Sequence, residues 1–427
     1  MLARPQVTIP LGFTQGGSDH CRDWRDARLP LPSLEERVGG GQLRNTLNNL
    51  TELAWLGPEC LGVFVGSPSV INLGGGHLVA SHDYFGATSF NRTVRLLHSV
   101  DGGSNWLPLG TAAGQYWANL FARPGDAALY LLGNSGDDRS KVRDVVLSRS
   151  TDGGATWSAG HTLFKGWYAT APTPTVLAAD GRLYRAMEGP DSKYKALLLW
   201  ADADADDLTL ASAWHASNAV SCERSFYPRA WRNLSTPLVW QEGNAVEAPD
   251  GTIALLLRVN GQTAAVRNVA GLLRFDRATS ELAFDRFVSG PFSESKFAVK
   301  RDPAAAGGAA VYYAVSNNVT DQNAKAGLVW ARNNQVLSTS RDLISWHVCA
   351  RLLADDTGFH TLEASANYTG FHYADFAFDG RSLVQVVRSG YRGANSYHNA
   401  NHAFAQRVDD YRRACGTEHL YPPVAFV

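Results

Sequence analysis

The sequence carries almost no net charge and has no long apolar run. Its formal net charge is -1 and its pI is about 6.9, so no broad basic surface is expected to attract nucleic acid. No stretch reaches the roughly 18 apolar residues that predict a membrane-spanning helix. We therefore expect neither a nucleic-acid partner nor membrane insertion. An acidic ligand would need a local cluster of arginines.

Cysteine is also scarce, and its spacing excludes two common kinds of site. The five cysteines are widely separated and form no C-x-x-C pair: Cys21, Cys60, Cys222, Cys349 and Cys415. A zinc site or a redox dithiol is therefore not expected, and no cofactor or metal is predicted. The first residues, MLARPQVTIPLGF, lack the apolar run of a secretory signal, whereas five N-x-S/T tripeptides are compatible with secretion. The compartment is left open.

Turn formers and aromatic residues are abundant. The chain of 427 residues has 40 Gly, 18 Pro and 12 Trp, and only 19% of its residues are charged. This balance favours strands and turns over helical bundles. The length exceeds that of a typical domain, but all-β folds often reach it as one unit. The composition predicts an all-β protein.

A short pattern recurs six times along the chain. Each copy is an apolar run, a turn with D-G or G-G and a second apolar run, which predicts a β-hairpin. The copies lie at 69–81, 120–133, 175–187, 245–259, 298–315 and 376–389, about 50 to 76 residues apart. Strand-only repeats of this size are typical of propeller blades. We predict a six-bladed β-propeller over 56–427, with residues 1–55 as an N-terminal extension packed on it.

Three further turns follow hairpins and share a Ser-x-Asp pattern that ends in Trp. They are SVDGGSNW (99–106), STDGGATW (150–157) and the looser SRDLISW (340–346). In such a turn the Asp side chain accepts backbone N–H groups, Gly permits a positive φ and Trp covers the apolar face of the hairpin. These turns predict fold and carry no catalytic group.

The Asp-box turns and the hairpin series resemble the sialidase superfamily over roughly residues 60–410. The resemblance implies a glycosidase with a Tyr nucleophile paired with a Glu, a separate Asp as acid/base, and three Arg that hold a substrate carboxylate. Three local stretches carry the resemblance further.

The segment 242–251, EGNAVEAPDG, is similar to a family segment that ends in an Arg. By this resemblance Glu242 is the partner of the nucleophile, Arg258 is the second arginine of the clamp, and Asn244 is a substrate contact. Arg332, eight residues before the box Ser340, matches the third arginine. A guanidinium can hold a carboxylate with two parallel hydrogen bonds, which makes Arg the expected residue type.

Tyr373, in the stretch YADFAFDG, resembles the family's nucleophile, which precedes the last D-G hairpin. Glu242 would then take the phenol proton as the oxygen attacks.

The chain departs from the family pattern at two places. Gly66-Ser67-Pro68 stands where the family has its first clamp arginine, and the stretch 88–91, TSFN, has no carboxylate where the family places its acid/base Asp. The nearest ionisable pair is His82-Asp83, which ends the second strand of the first hairpin. Neighbours in a strand point to opposite faces, so we expect one of the two to enter the pocket and supply the proton.

The segment 388–402, RSGYRGANSYHNANH, is rich in groups that can contact a sugar. We expect Arg388 and Arg392 to bind substrate, and Tyr391 and Tyr397 to stack on a pyranose ring. His398 and His402 lie four residues apart, but no helical pattern supports a metal site there, so sugar contact is preferred.

These observations predict a sialidase-like glycosidase that removes a terminal acidic sugar through Tyr373 and an arginine clamp. Two alternatives are kept. One is a polysaccharide lyase on a uronate-containing glycan, with His82 and a Tyr as base and acid. The other is a propeller that binds a glycan without catalysis, because the fold alone does not decide function.

Overall fold

A computed structural model describes residues 50–57, 60, 62–86, 93–136, 143–190, 194–305 and 309–420. Their strands form six antiparallel sheets of at least four strands each and one two-stranded ribbon. The ribbon pairs β2 (Phe64–Val65) with β5 (Tyr84–Phe85).

The first three blades follow one another in the sequence. Blade 1 contains β3 (Ser69–Gly74), β4 (His77–His82), β6 (Thr93–Ser99) and β7 (Leu107–Ala113). Blade 2 contains β8 (Tyr116–Ala122), β9 (Leu129–Asn134), β10 (Val145–Ser150) and β11 (His161–Phe164). Blade 3 contains β12 (Val176–Leu177), β13 (Arg182–Glu188), β14 (Lys195–Asp202), β15 (Trp214–Ala216) and β16 (Val220–Ser221).

The other three blades complete the ring. Blade 4 contains β17 (Val239–Glu247), β18 (Ile253–Asn260), β19 (Val269–Asp276) and β20 (Glu281–Ser289). Blade 5 contains β21 (Ala298–Arg301), β22 (Tyr312–Asn317), β23 (Asn334–Ser340) and β24 (His347–Ala354). Blade 6 contains β25 (Gly370–Asp379), β26 (Ser382–Gly390), β27 (His402–Val408) and β1 (Leu50–Trp55).

Helices within the described residues are short and lie in the connections. The α-helices are α1 (Asp321–Lys325), α2 (Leu362–Tyr368) and α3 (Tyr411–Ala414). The 3-10 helices are Ala211–Ala213, Arg224–Phe226, Arg229–Trp231, Ala264–Val266 and Glu418–Leu420. In this part of the chain no helix has the length and apolar character needed to cross a membrane.

The predicted six-bladed β-propeller is confirmed, and each predicted hairpin forms the first two strands of one blade. The first strands lie nearest the axis, where β25 contacts β3, β3 contacts β8 and β17 contacts β21. Apolar side chains fill the space between neighbouring blades. One such cluster joins blades 3 and 4 around Trp240 and Leu255, neither of which is exposed. Burial between blades is what makes the ring stable, because a single small sheet leaves both faces exposed.

The ring is closed by a strand from the start of the described chain. Leu50–Trp55 pairs with β27 as the outermost strand of blade 6, although the sequence placed these residues in the extension. Glu52 Oε1 and His402 Nδ1 lie 2.5 Å apart in this pair, and both side chains are buried. The last residues of the predicted extension therefore belong to the propeller. Residues 1–49 lie outside the described chain.

The propeller has two ends, which we define by strand direction. At the top face the first strand of each blade begins and the second strand ends, and at the bottom face the third strand ends. The three Asp-box turns connect third and fourth strands and therefore lie at the bottom face.

Each Asp-box turn forms the local contacts that its sequence predicts. Asp101 Oδ1 accepts the backbone N–H of Asn105 at 2.9 Å, Gly103 has φ +91°, and Trp106 is buried. Asp152 and Asp342 accept equivalent backbone bonds. The boxes stabilise the turns at the bottom face. The predicted catalytic residues Glu242 and Tyr373 lie near the start of β17 and β25, at the top face.

Candidate active site

Three blades carry the same irregularity at the top face. The innermost strands β8, β17 and β25 each contain one extra residue relative to their partner strand, which is a β-bulge. In each bulge one residue that is not Gly has a positive φ: Trp117 (49°), Glu242 (54°) and Tyr373 (58°). Such conformations cost roughly 1–3 kcal/mol and concentrate at functional sites. The bulges turn these side chains out of the regular strand alternation at equivalent positions.

Two residues after each of these positions, an Asn or Asp joins the blade to the next one. Asn119 accepts the N–H of Thr175 at 2.9 Å, and Asp375 accepts the N–H of Val70 at 2.9 Å. Asn244 donates to the carbonyl of Phe297 at 3.1 Å and accepts from the N–H of Val299 at 3.1 Å. Asn244 was predicted to contact substrate. Its amide is fully buried and engaged at both atoms, so in this structure it joins blades 4 and 5.

Tyr373 and Glu242, predicted as nucleophile and partner, are in direct contact. The Tyr373 hydroxyl donates to Glu242 Oε1 at 2.6 Å. Arg258 Nη1 donates to Glu242 Oε2 at 2.9 Å and to the Tyr373 hydroxyl oxygen at 3.2 Å. The structure thus brings together three residues that the sequence selected from two separate blades.

The electrostatics of this group favour an ionised Glu and a neutral phenol. Burial acts to raise the pKa of Glu242, but Arg258 and the Tyr373 hydrogen bond outweigh it, so this pKa lies below its usual value. Burial and the adjacent Glu242 raise the pKa of Tyr373, against the opposing charges of three arginines. Glu242 is therefore an acceptor that can take the phenol proton.

Arg388 occupies the position in blade 6 that Arg258 occupies in blade 4. Arg258 lies opposite Gln241 and Arg388 lies opposite His372, in each case just before the bulge. The Arg388 guanidinium carbon is 4.0 Å from the centre of the Tyr373 ring and 4.7 Å from that of Phe85. Burial lowers the pKa of Arg388 to about 10, so it stays charged at neutral pH. Its cation faces the ring of the predicted nucleophile.

Arg332 reaches the same group from the loop before β23. Its guanidinium carbon lies 5.6 Å from the centre of the Tyr373 ring and 5.2 Å from that of Tyr397. Its Nη2 donates to the carbonyl of Glu294 at 3.1 Å. Arg258, Arg332 and Arg388 therefore converge on Tyr373 from three different blades.

His372 holds two of these arginines and was not predicted. Its Nδ1 lies 3.2 Å from Arg332 Nη1 and 3.4 Å from Arg388 Nε, and its Nε2 lies 2.9 Å from the carbonyl oxygen of Tyr397. Burial and the two arginines lower the pKa of His372 well below its usual value. A neutral ring with its proton on Nε2 satisfies all three contacts.

Asp83, rather than His82, forms side-chain hydrogen bonds to residues outside its own strand. Its Oδ1 accepts the N–H of Ser67 at 2.8 Å and its Oδ2 accepts the N–H of Trp117 at 2.6 Å. Burial raises the pKa of Asp83 to about 6, although these bonds and the charge of Arg388 oppose the increase. His82 packs edge-on against Tyr84, and its Nδ1 lies 3.2 Å from the carbonyl oxygen of Asp83, within blade 1.

Gly66 stands where the family pattern has its first arginine, and the side chain of Asp83 occupies the space beside it. A Cβ atom on Gly66 would lie 1.8 Å from Oδ1 of Asp83, so no larger residue fits at position 66 while this carboxyl group is present. Asp83 fills the space next to the position where the family pattern has an arginine. Residues 88–91, where that pattern has its acid/base Asp, lie outside the described residues.

A second buried carboxyl group, Glu188, lies beside Glu242 and was missed. Glu188 Oε1 accepts the backbone N–H of Glu242 at 2.5 Å, and only 1% of Glu188 is exposed. Burial, with a further contribution from Glu242, raises the pKa of Glu188 to about 8. At neutral pH this side chain is mostly protonated, in contrast to Glu242.

Two of the remaining candidates of the 388–402 segment, Arg392 and Tyr391, lie apart from this group. Arg392 Nε donates to the Tyr391 hydroxyl at 2.9 Å, and its guanidinium lies near Asp356. Tyr391 is 0% exposed and part of the core, so it does not stack on a sugar as expected. Tyr397 is half-buried and stacks on Trp330.

The described residues contain no group of three or more His, Cys, Asp or Glu placed to hold a metal ion.

The fold and this geometry define a six-bladed β-propeller in which Arg258, Arg332 and Arg388 surround Tyr373 at the top face. Comparison with solved structures gives fold relatives at low sequence identity. An α-L-arabinanase of Penicillium chrysogenum, solved with arabinobiose, has a TM-score of 0.54 and 15% identity, over 81% of this chain and 93% of that one. An α-L-arabinofuranosidase of Fusarium graminearum has a TM-score of 0.53 and 12% identity over 81% and 93%.

A NanB sialidase of Streptococcus pneumoniae has a TM-score of 0.52 and 11% identity, over 81% of this chain and 68% of that one. No protein-family model and no curated protein sequence matches the chain. At these identities the comparisons show the shared fold.

Proposed function

We propose that this protein is a glycosidase that removes a terminal acidic sugar, sialic acid or a relative of it, from a glycan. The observation that carries this proposal is the charge balance around Tyr373. Arg258, Arg332 and Arg388 all face one phenol, against a single ionised carboxylate in contact with it, Glu242. Buried charges of one sign need a partner, and a substrate carboxylate supplies it.

In the first step the Tyr373 oxygen attacks the anomeric carbon. Its proton moves to Glu242 Oε1, which is already hydrogen-bonded to it at 2.6 Å. The bond from the anomeric carbon to the leaving oxygen breaks, and that oxygen receives the proton of Asp83. A neutral phenol approaches a sugar that bears a carboxylate with less repulsion than a second carboxylate would. Arg388, over the ring of Tyr373, stabilises the negative charge that develops on the phenol oxygen.

In the second step Asp83, now ionised, takes a proton from water. The water oxygen bonds to the anomeric carbon, the Tyr373 oxygen leaves, and Glu242 returns its proton. Two inversions at one carbon give overall retention of configuration. A pKa of about 6 for Asp83 suits a group that gives a proton and then takes one.

Fold relatives that are named as sialidases and arabinan-active enzymes support a carbohydrate substrate in general. The acidic character of the sugar is inferred from the arginines of this chain alone.

The test is incubation with sialylated and uronate-containing glycans, following free sugar and the ultraviolet absorbance of a new double bond. Release of an acidic monosaccharide without unsaturation is the expected result. Unsaturated product would support the lyase alternative, and binding without any product would support the non-catalytic alternative. Either outcome would overturn the proposed hydrolysis.

A second candidate is a glycosidase for a neutral arabinose-containing glycan. Glu188 accepts the backbone N–H of Glu242, and the pKa values of the two carboxyl groups are displaced in opposite directions. These observations favour the second candidate, because such a pair can serve as acid and nucleophile. Release of arabinose from arabinan, with no release of sialic acid, would select this candidate. Activity that survives Tyr373→Phe but not Glu188→Gln would support the same conclusion.

A further inference from the structure

The bulge in blade 2 presents a tryptophan where the bulges in blades 4 and 6 present the proposed catalytic pair. Trp117 precedes Asn119 by two residues, as Glu242 precedes Asn244 and Tyr373 precedes Asp375. All three bulges start the innermost strand at the top face. The Trp117 side chain therefore leaves the strand at the same level as the catalytic groups.

Trp117 is half-buried, and its conformation is unusual for so large a residue. Its φ of 49° is held by the bulge and by the 2.6 Å bond from its N–H to Asp83 Oδ2. A strained backbone persists only where the surrounding structure enforces it, and it is common at ligand sites. The tryptophans of the Asp boxes lie at the bottom face, whereas Trp117 lies at the top face, where its ring centre is 4.8 Å from that of Tyr116.

A second tryptophan extends this surface toward blade 3. The Arg143 guanidinium lies 5.3 Å from the Trp117 ring centre and 5.0 Å from that of Trp167, so it contacts both indoles. Arg143 is only 8% exposed, whereas both indoles are half-buried. Its backbone bonds to Gly166 and Tyr168 hold Trp167 in place. The arrangement fixes two large ring systems that retain accessible surface.

We propose that Trp117 and Trp167 form a stacking platform for the neutral sugar on the leaving-group side of the scissile bond. This inference rests on the proposed function for the direction of the substrate. The proton donor must lie next to the leaving oxygen, and Asp83 is bonded directly to the backbone of Trp117. The sugar that carries the leaving oxygen therefore lies over blade 2, away from the arginines that face Tyr373.

The chemistry of the platform favours an uncharged pyranose. An indole face offers a large apolar surface to the C–H groups of a sugar ring, while hydroxyl groups can accept hydrogen bonds from a nearby guanidinium. The occupant is thus the neutral penultimate sugar of the glycan.

The experiment compares four proteins: the unchanged chain, Trp117→Ala, Trp167→Ala and a control variant, Trp157→Phe. Two quantities are measured for each. Trp157 is also half-buried but belongs to an Asp box at the bottom face. The first quantity is the dissociation constant of lactose by calorimetry. The second is the ratio of kcat/KM for sialyllactose to kcat/KM for a methyl sialoside, which has no leaving sugar. Thermal unfolding of each variant verifies that it is folded.

We expect Trp117→Ala to weaken lactose binding about tenfold and to lower the kcat/KM ratio by a similar factor, with a smaller effect for Trp167→Ala. Trp117→Phe should recover part of both quantities, because it retains a ring. Trp157→Phe should leave both unchanged.

Failure of this inference is distinct from failure of the proposed function. If no sialoside is hydrolysed but lactose binds and the affinity depends on Trp117, the platform stands and the reaction is wrong. If sialosides are hydrolysed and Trp117→Ala matches Trp157→Phe in both measurements, the platform is wrong. Absence of lactose binding together with an unchanged ratio would also overturn it.

Discussion

The Tyr373 hydroxyl donates a 2.6 Å hydrogen bond to Glu242, although 131 positions separate the two residues in the sequence. Each sits at the positive-φ position of a bulge in the innermost strand of its blade. Ordinary strand alternation does not aim both side chains in this way. The contact is therefore a product of two matching backbone irregularities, and it is the basis of the predicted chemistry.

Removal of either member of this pair should abolish turnover without unfolding the protein. Tyr373→Phe deletes the attacking oxygen, and Glu242→Gln deletes the acceptor for its proton. We expect kcat to fall by roughly 10³-fold in each case. Steady-state kinetics measure this loss, and circular dichroism verifies the fold. Wild-type rates in Tyr373→Phe would exclude the tyrosine mechanism.

Arg388 should contribute directly to binding of an acidic product. A hydrogen bond to a charged group is worth about 1.5–3 kcal/mol, so Arg388→Leu should weaken binding of free sialic acid by about 10- to 100-fold. Calorimetry measures the dissociation constant. Arg392→Leu is the matched control, because Arg392 contacts Tyr391 and Asp356 instead of the Tyr373 group. Equal effects of the two variants would contradict the assignment.

The pH dependence should identify the proton donor. Asp83 acts in its protonated form, and its pKa is raised to about 6, so kcat/KM should be full below pH 6 and decline as the pH rises through that value. Asp83→Asn should remove this decline along with most of the activity. If Glu188 were the donor, the decline would occur near its pKa of about 8 instead, and Glu188→Gln would abolish it.

Asn244 should matter for stability more than for ligand binding. Asn244→Ala would leave the carbonyl of Phe297 and the N–H of Val299 without their partner between blades 4 and 5. Two buried unsatisfied groups cost about 1–3 kcal/mol each, so the free energy of unfolding should fall by about 2–6 kcal/mol. Urea denaturation measures the change, with Asn395→Ala on an exposed loop as control. A change below about 0.5 kcal/mol would contradict this role.

The blades could be predicted from the sequence because their signal is local. Each hairpin carries its own turn and strand alternation within about 15 residues, as in 245–259. Ring closure could not be predicted in this way. The pairing of Leu50 with Gln406 depends on the completed ring and leaves no local pattern, which is why Leu50–Trp55 was assigned to an extension.

The sequence correctly grouped Tyr373, Glu242, Arg258 and Arg332, which the structure brings together, while their catalytic and binding roles stay predictions. The site was less predictable where a residue that differs from the family pattern depends on another residue beside it in the folded chain. The family pattern has an arginine where this chain has Gly66. The structure explains this difference, because the Asp83 carboxyl group leaves no room for a side chain at position 66. Asn244 was predicted to contact substrate because an amide side chain can bind sugar hydroxyl groups. The sequence does not show that Phe297 and Val299 lie beside it and bond its amide.

One overlooked signal would have identified Trp117. The stretches YWAN (116–119), QEGN (241–244) and HYAD (372–375) each place a small residue between a large side chain and an Asn or Asp. Recognition of this shared pattern would have put Trp117 beside Glu242 and Tyr373. Glu188 had no comparable signal, because it ends an ordinary strand whose carboxyl group meets Glu242 only in the folded ring.

The most direct test of the central claim is covalent trapping of the nucleophile. A 3-fluoro sialosyl fluoride carries a leaving group that needs no proton, and its ring fluorine slows a transition state with oxocarbenium character, so a glycosyl-enzyme should accumulate. Peptide mass spectrometry after digestion would locate the adduct. Our account predicts one adduct per chain, on Tyr373, and none in Tyr373→Phe. Turnover of a sialoside with no adduct, or an adduct on another residue, would contradict it.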